Sequence, residues 1–378
     1  MFAVPHKNAK TSRVLLPVIM LALAAVVSAV ASLNVAIPSI ARDTDASQTQ
    51  LSWIIDAYSL VFAALLLLGG AIGDRWGRRR ALVTGLAIFG AGSLAAMFAA
   101  DPTWLIVLRA TLGIGAALVM PATLSTITAT FPVDQRPRAI GAWAGMAGAS
   151  AILGLLASGL LLEVWSWRSV FGLNVALVAI AIPAALRVVP ESSDPHAPRL
   201  DLVGALLTVL GLGLVVYSII EAPTAGWADP RTLGGLVAGL AVIAGFVRWE
   251  LVSPHPMLDP RLFTYRAFAA GTLSITMQFF AFFGFIFLIL QYLQLALGQS
   301  AIVAAASLVP VALGLMPGAR VLAPRLVPRL GTRVVCTIGL FVAAAALLLL
   351  SRLDGDSSYW VLLIGLVPLG LGMGMAMT

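Results

Sequence analysis

Two ionisable side chains interrupt long apolar stretches of this sequence. Asp56 is the only carboxylate well inside a predicted membrane span, and Arg109 lies in the apolar run from Leu105 to Gly115. A cation at about 4 Å favours the charged form of a carboxylate, whereas burial favours its protonated form. Alternation between those two forms could carry a proton. We therefore predict that Asp56 and Arg109 face each other and couple proton movement to function.

Each residue also has a simpler interpretation, which the sequence leaves open. Asp56 falls in the first turn of a helix predicted to begin at residue 53, where an acid complements the helix dipole. Arg109 lies about 9 Å from the outer end of its predicted helix, so its side chain could snorkel to the membrane surface. An arginine buried at mid-helix costs about 2.5 kcal/mol or more, which favours a functional role.

A dense charged turn, residues 70–80, separates two of the apolar stretches. Asp74 can pair with its own arginines or with a neighbouring helix N-terminus, in contacts worth about 0.3–1 kcal/mol each when exposed. The arginines alone suit a solvated loop that orients a membrane protein. A solvated loop does not explain why Gly70, Asp74 and Gly77 occur at these particular spacings. Five residues define the turn, and the gating role assigned to them below comes from a family resemblance: Gly70, Asp74, Arg75, Gly77 and Arg78.

The composition predicts a protein embedded in lipid. Hydrophobic residues make up 60% of the chain and charged residues 10%, with a mean hydropathy of +1.01, whereas about a quarter of an average soluble domain is charged. A spanning helix needs about 20 mostly apolar residues. We predict an all-α polytopic membrane protein with twelve spans: 14–40, 53–73, 81–100, 103–125, 138–162, 169–189, 202–221, 232–250, 269–295, 301–322, 333–352 and 359–378.

The placement of the charges predicts an orientation in the membrane. A net charge of +7 would suit a nucleic-acid partner, but most Lys and Arg residues fall at the N-terminus and in every second loop. This is the positive-inside pattern, and it places the N-terminus and the Asp74 loop in the cytoplasm. Arginine far outnumbers lysine, as in GC-rich bacterial genomes. We expect a multi-pass protein of the bacterial inner membrane that binds no nucleic acid.

The sequence offers no pattern of an enzyme. It contains no metal-ligand spacing, nucleophile elbow, phosphate loop or paired catalytic carboxylates, and all three histidines lie in polar segments. Neither a metal nor an organic cofactor is predicted. Proton movement through Asp56 and Arg109 would draw on the proton motive force.

The charged turn resembles the loop between helices two and three of the major facilitator superfamily, G-x-L-x-D-R-x-G-R-R-R. In that family the turn acts as a latch on one of two alternating states. The segment around Arg109 resembles the family's helix-four motif, in which an arginine faces the cavity and takes part in proton coupling. The resemblance implies two pseudo-symmetric helical bundles, with cavity contacts at Asn34, Gln278 and Phe282.

The order of segments resembles the fourteen-helix drug:proton antiporter branch of that superfamily. The resemblance implies an N-terminal six-helix bundle (1–189), a cytoplasmic linker (190–200), two additional helices (201–251) and a C-terminal bundle (252–378). Residues 324–333 resemble a decayed second copy of the charged turn. By this count the C-terminal bundle has four of six helices and the chain twelve of fourteen spans. We expect the natural chain to continue beyond Thr378.

Two motifs depart from the antiporter pattern. In helix five, Gly154 and Gly159 match G-x-x-x-G-P-x-x-G-G, but Leu155 replaces the proline. Small residues at this spacing also serve ordinary helix packing. In helix one, Ala29 occupies the position of the family's membrane carboxylate.

The function implied by the resemblance is secondary active export of amphipathic or lipophilic small molecules, including drugs, by proton antiport with alternating access. Ala29 and Leu155 favour an alternative, a metabolite facilitator or symporter of the same fold. A truncated, non-transporting membrane protein is a third possibility. The expected partners are an amphipathic small molecule, protons and the lipid bilayer, and we expect a monomer.

Overall fold

The computed structural model describes residues 9–195, 200–353 and 359–377, and this part of the chain is helical without any strand. Twelve helices follow one another. They are α1 Ala9–Thr44, α2 Gln48–Trp76, α3 Arg78–Ala96, α4 Pro102–Thr130, α5 Arg136–Val164, α6 Arg168–Val188, α7 Leu202–Ala225, α8 Pro230–Val252, α9 Arg266–Gln291, α10 Ala301–Leu330, α11 Thr332–Leu350 and α12 Tyr359–Ala376. A 3₁₀ helix, Pro260–Thr264, precedes α9, and a π-helical turn, Tyr292–Ala296, extends it.

Ten of the helices in the described ranges are long and apolar enough to cross a membrane. The other two are α3, whose 19 residues begin with three arginines, and α12, which has 18 residues. Each of the twelve predicted spans nevertheless corresponds to one helix. The predicted all-helical polytopic fold is confirmed.

Side-chain caps set several helix starts. Ser47 and Gln50 form a reciprocal capping box at α2, so that helix begins at Gln48 and not at residue 53 as predicted. Asp101 caps α4 by accepting backbone hydrogen bonds, and a proline follows it at the first helical position. The N–H groups of Trp104 and Thr103 hold the pKa of the Asp101 carboxyl below its usual range.

The chain forms two compact units. The first comprises the chain up to Leu33 together with Ser39–Gly154 and Trp165–Pro260. Its α3 and α4 touch through glycines: a Cβ placed on Gly85 would lie 2.7 Å from the carbonyl oxygen of Gly115. Such close approach lets helices associate in lipid by direct backbone packing.

The hairpin α7–α8 belongs to this first unit, and α7 packs against α2. Trp53 donates its indole N–H to Glu221 Oε1 at 3.2 Å, and its ring lies 6.0 Å from that of Tyr217. The hydroxyls of Thr49 and Thr224 are 3.0 Å apart. Polar contacts therefore fix α7 beside the N-terminal half of α2.

The second unit comprises Asn34–Pro38, Leu155–Val164 and Arg261–Thr378. Here α11 and α12 touch through a reciprocal glycine pair, since a Cβ on either Gly339 or Gly372 would lie 2.5 Å from the other's carbonyl oxygen. The predicted domain boundaries stay a prediction.

The charged turn and the segment predicted to be its second copy, residues 324–333, share a backbone conformation at one glycine. Gly77 separates α2 from α3 with φ 125°, and Gly331 separates α10 from α11 with φ 80°. Each donates its N–H to the residue four positions earlier, Gly73 or Val327. Positive φ at both turns favours glycine and explains why this residue type persists in both copies.

Candidate coupling and gating sites

Arg109 is held in the interior of the first unit. Its side chain is 1% exposed, so it does not snorkel. The guanidinium donates to three backbone carbonyls: Nε to Ile54 at 2.8 Å, Nη2 to Ile55 at 3.3 Å and Nη1 to Ala29 at 3.4 Å. Because these carbonyls belong to α2 and α1, one cation of α4 joins three helices.

Tyr58 completes the surroundings of this cation. Arg109 Cζ lies 4.5 Å from the centroid of the Tyr58 ring, in cation–π geometry. The Tyr58 side chain is 1% exposed, and its hydroxyl donates to the carbonyl of Val26 at 2.8 Å. Sequence reasoning did not select Tyr58, although a tyrosine hydroxyl in an apolar span needs a hydrogen-bond partner and is a signal for such a role.

Asp56 lies next to this cluster without pairing with it. No Asp56–Arg109 ion pair occurs among the described residues, because the guanidinium donates to backbone carbonyls instead. The pair expected from the sequence is therefore not formed in this conformation. Arg109 nevertheless bonds to Ile54 and Ile55, the two residues that directly precede Asp56.

The dipole interpretation of Asp56 does not fit the observed helix. Since α2 begins at Gln48, Asp56 is more than two turns from the N-terminus, and the dipole effect falls off within the first turn. The acid is also partly exposed. Ala29, which occupies the position of the family's helix-one acid, supplies a carbonyl to Arg109 and so lies at the same cluster.

The charged turn contains an internal ion pair and also forms hydrogen bonds with the segment that links α6 to α7. Arg78 pairs with Asp74 at 2.9 Å. The carbonyl of Asp74 accepts from the N–H of Asp194 at 2.8 Å, and the N–H of Arg78 donates to the carbonyl of Ser192 at 2.9 Å. We name the contact between residues 74–80 and 191–194 the clasp.

Glu191 is the main acid of the clasp and was not predicted. Its Oε1 accepts from the N–H of Arg79 at 3.2 Å, and its Oε2 lies 3.7 Å from Arg79 Nε and 3.6 Å from Arg80 Nε. A Cβ on Gly77 would lie 2.5 Å from Glu191 Oε1. Gly77 is therefore required both by its positive φ and by the carboxylate beside it.

The other two residues of the charged turn, Gly70 and Arg75, lie outside the clasp contacts. A Cβ on Gly70 would meet the Pro121 ring of α4 at 3.4 Å, an ordinary packing distance. Arg75 is exposed. The structure thus brings together Asp74, Gly77 and Arg78, with Gly70 one turn away against α4.

Replacing Asp74 by asparagine should reduce transport by up to about fivefold, equivalent to about 1 kcal/mol, while membrane insertion stays normal. The amide keeps the shape but loses the charge that pairs with Arg78. Transport per inserted molecule is the quantity to measure, with Asp134→Asn in the exposed α4–α5 loop as the control. Normal transport by Asp74→Asn at normal membrane levels would contradict a gating role.

The glycines of α5 allow close packing within each unit. A Cβ on Gly154 would lie 2.8 Å from Ser28 Cβ of α1, and a Cβ on Gly159 would lie 2.8 Å from Ile302 Cα of α10. Leu155, in place of the family proline, is 1% exposed. Close packing accounts for both glycines, and their role in antiport stays a prediction.

Two of the predicted cavity residues carry buried polar groups of the second unit. Asn34 and Gln278 are 8% and 5% exposed. Gln278 donates to Ser274 Oγ at 3.4 Å, while its Oε1 is buried and has no partner in the described ranges. Phe282 is half-buried, and its ring centroid lies 5.9 Å from that of Phe283. Gln278 Oε1 is thus an acceptor without a donor among the described residues, and the cavity role of all three residues stays a prediction.

The chain belongs to the Major Facilitator Superfamily, whose family model matches residues 19–378. It is thus a membrane transporter, not an enzyme. It is 36% identical over 349 residues to the puromycin resistance protein pur8 of Streptomyces alboniger, covering 91% of this chain and 69% of that protein. It is 37% identical over 334 residues to the methyl viologen resistance protein SmvA of Salmonella typhimurium, with coverages of 87% and 66%.

Among solved structures, the peptide transporter POT shares the fold with a TM-score of 0.67 at 16% identity, covering 96% of this chain and 80% of that chain. The chain spans about two thirds of the length of the curated relatives it matches. The relationship to the drug-efflux branch, predicted from the charged turn and the order of segments, is confirmed.

Proposed function

We propose that this chain exports amphipathic or lipophilic small molecules from bacteria in exchange for protons, by alternating access. The observation that carries the proposal is the buried Arg109, held by three carbonyls beside the partly exposed Asp56. An arginine at this depth is costly in a membrane protein and marks an ion or substrate pathway.

The proton would bind to Asp56. In the conformation described here, Arg109 donates to carbonyls and forms no ion pair with Asp56 among the described residues. A small rotation of α2 against α4 would exchange the Ile55 carbonyl for the Asp56 carboxylate. The acid would then release its proton as the ion pair forms.

The substrate class follows from the relatives and from the second unit. The relatives' names refer to resistance to puromycin and to methyl viologen, two unlike compounds. The buried acceptor of Gln278, which has no donor in the described ranges, would suit a substrate with a polar donor, and Phe282 would suit an apolar ring. We place Asn34 with them as a cavity contact.

A metabolite facilitator or symporter of the same fold is the second candidate. The specific observations that favour it are Ala29 in place of the helix-one acid and Leu155 in place of the helix-five proline. The two candidates differ in direction, because a symporter accumulates its substrate inside the cell when the proton gradient points inward.

A susceptibility assay tests export. A bacterial host without efflux pumps, carrying this gene, should tolerate several-fold more puromycin, methyl viologen or another lipophilic cation than the same host with an empty vector. Unchanged susceptibility to every compound, at a verified membrane level of the protein, would contradict drug export.

The proposed topology places the N-terminus and the clasp in the cytoplasm. Its support is the charge distribution and the hydrogen bond between Asp74 and Asp194, which joins two segments assigned to the same side. Single cysteines at Ser193 and Ala228, both exposed, in a Cys336→Ser background should label from opposite sides of the membrane. Labelling of both positions from outside intact cells would rule the topology out.

A further inference from the structure

Two carboxylates are buried together where α7 begins and α8 ends. Asp201 is the N-cap of α7 and is 8% exposed. Glu250, in the last turn of α8, is 2% exposed. The proton-coupling site proposed above uses neither residue.

The Asp201 carboxylate is fully supplied with donors. The indole N–H of Trp249 lies 3.0 Å from its Oδ1 and 2.9 Å from its Oδ2, and the N–H of Gly204 donates to Oδ1 at 2.8 Å. Asp201 therefore has hydrogen-bond donors on both of its carboxylate oxygens.

Glu250 lacks this support on one of its oxygens. Its Oε2 accepts from the N–H of Leu258 at 3.2 Å, while its Oε1 is buried and has no partner in the described ranges. Oε1 and an Asp201 oxygen lie near the same point: a Cβ on Gly204 would lie 2.7 Å from Glu250 Oε1 and 2.8 Å from Asp201 Oδ2. Both oxygens thus border the space that Gly204 leaves empty.

Three physical effects act against a negative charge at Glu250, whereas the backbone N–H groups of Leu258 and Met257 act in its favour. Its side chain is shielded from water, a second carboxylate faces it, and it lies at a helix C-terminus, where the dipole is negative. Among the described residues, Asp201 on α7 is the charged group that acts on it. Arg248 of α8 is exposed, and residues 196–199, which include His196 and Arg199, lie outside the described ranges.

We propose that Glu250 is a second proton-binding site of this chain, with the proton on Oε1 and Asp201 as the acceptor of its hydrogen bond. A proton taken up from water converts the carboxylate into a carboxylic acid, and its release leaves two facing anions. Repulsion between the two anions would then loosen the contact between α7 and α8. It would also weaken the hydrogen bond from the N–H of Leu258 to Glu250 Oε2, which holds the segment between α8 and α9. The site does not depend on the export proposal.

The stability of the purified protein as a function of pH tests this site. A buried acid that is protonated when folded destabilises the protein as pH rises, because the unfolded chain ionises more readily. The unfolding midpoint of the wild type should therefore fall with increasing pH. Glu250→Gln, which mimics the protonated acid, should reduce that fall and be the more stable protein at alkaline pH. Glu163→Gln, at an exposed acid of α5, should behave as the wild type.

Infrared spectroscopy identifies the proton directly. At neutral pH the wild type should show a carbonyl stretch of a protonated carboxyl group that is missing in Glu250→Gln. In Asp201→Asn the same band should disappear at lower pH, because the facing negative charge is gone. If no band depends on Glu250 and Glu250→Gln lowers the midpoint at every pH, Glu250 is an ordinary ionised side chain and the proposal is wrong.

Discussion

Replacing Arg109 by glutamine should abolish proton-driven export, and Arg109→Lys should reduce export by at least about tenfold, equivalent to about 1.4 kcal/mol. The guanidinium reaches three carbonyls on two helices and stacks on Tyr58. Glutamine removes the charge. Lysine keeps it, but as a point charge without the planar fork that the three carbonyls and the ring require. Export driven by an imposed pH gradient in proteoliposomes is the measurement.

Arg168 provides a matched control. It also stacks on an aromatic ring, with Cζ 4.4 Å from the Trp167 centroid, and it pairs with Asp43 at 3.8 Å. Its side chain is 36% exposed, however, and it is the first residue of α6. Arg168→Lys should therefore retain most of the export activity. Equal losses in Arg109→Lys and Arg168→Lys would show that any stacked arginine has the same effect, and would contradict a coupling role for Arg109.

Asp56→Asn should eliminate proton-driven export while substrate binding survives. The amide resembles the protonated acid in size and hydrogen bonding, but it cannot release a proton or form an ion pair with Arg109. Substrate binding to the purified protein should change less than about twofold, equivalent to less than about 0.4 kcal/mol, because the proposed substrate contacts lie on other helices. Export against a gradient should fall to the level of empty vesicles.

Glu221→Gln is the control for Asp56→Asn. Glu221 is a carboxylate on α7 whose Oε1 accepts from Trp53, one helical turn before Asp56. The glutamine variant keeps that acceptor and removes only the charge. We expect normal export from Glu221→Gln, which would separate the role of Asp56 from a general need for negative charge in this region.

The number and order of the helices could be predicted because each span is a long apolar run bounded by polar residues. The start of α2 was missed because its first turn is polar. The capping box of Ser47 and Gln50 makes residues 48–52 helical even though hydropathy places them in a loop. That error of about one turn had a functional consequence, since it moved Asp56 into the first turn and favoured the dipole interpretation.

The residues that form the Arg109 site and the clasp could be predicted only in part. Motif spacing identified Arg109 and the charged turn, but their partners depend on how helices rotate and pack. Nothing in the local sequence indicates that Arg109 bonds to carbonyls of Ala29 and Ile54, 80 and 55 positions away. Likewise, Glu191 meets Arg79 across 112 positions of the chain. Such contacts are properties of the assembled bundle.

Substrate-evoked proton movement in sealed vesicles tests the central claim most directly. Vesicles with the wild-type chain, loaded with a pH-sensitive dye and energised, should show proton movement opposite to the substrate when methyl viologen or puromycin is added. Vesicles with Asp56→Asn should show none at the same protein level. Undiminished proton movement in Asp56→Asn would contradict the assignment of the proton to Asp56, and its absence in the wild type during active export would contradict antiport itself.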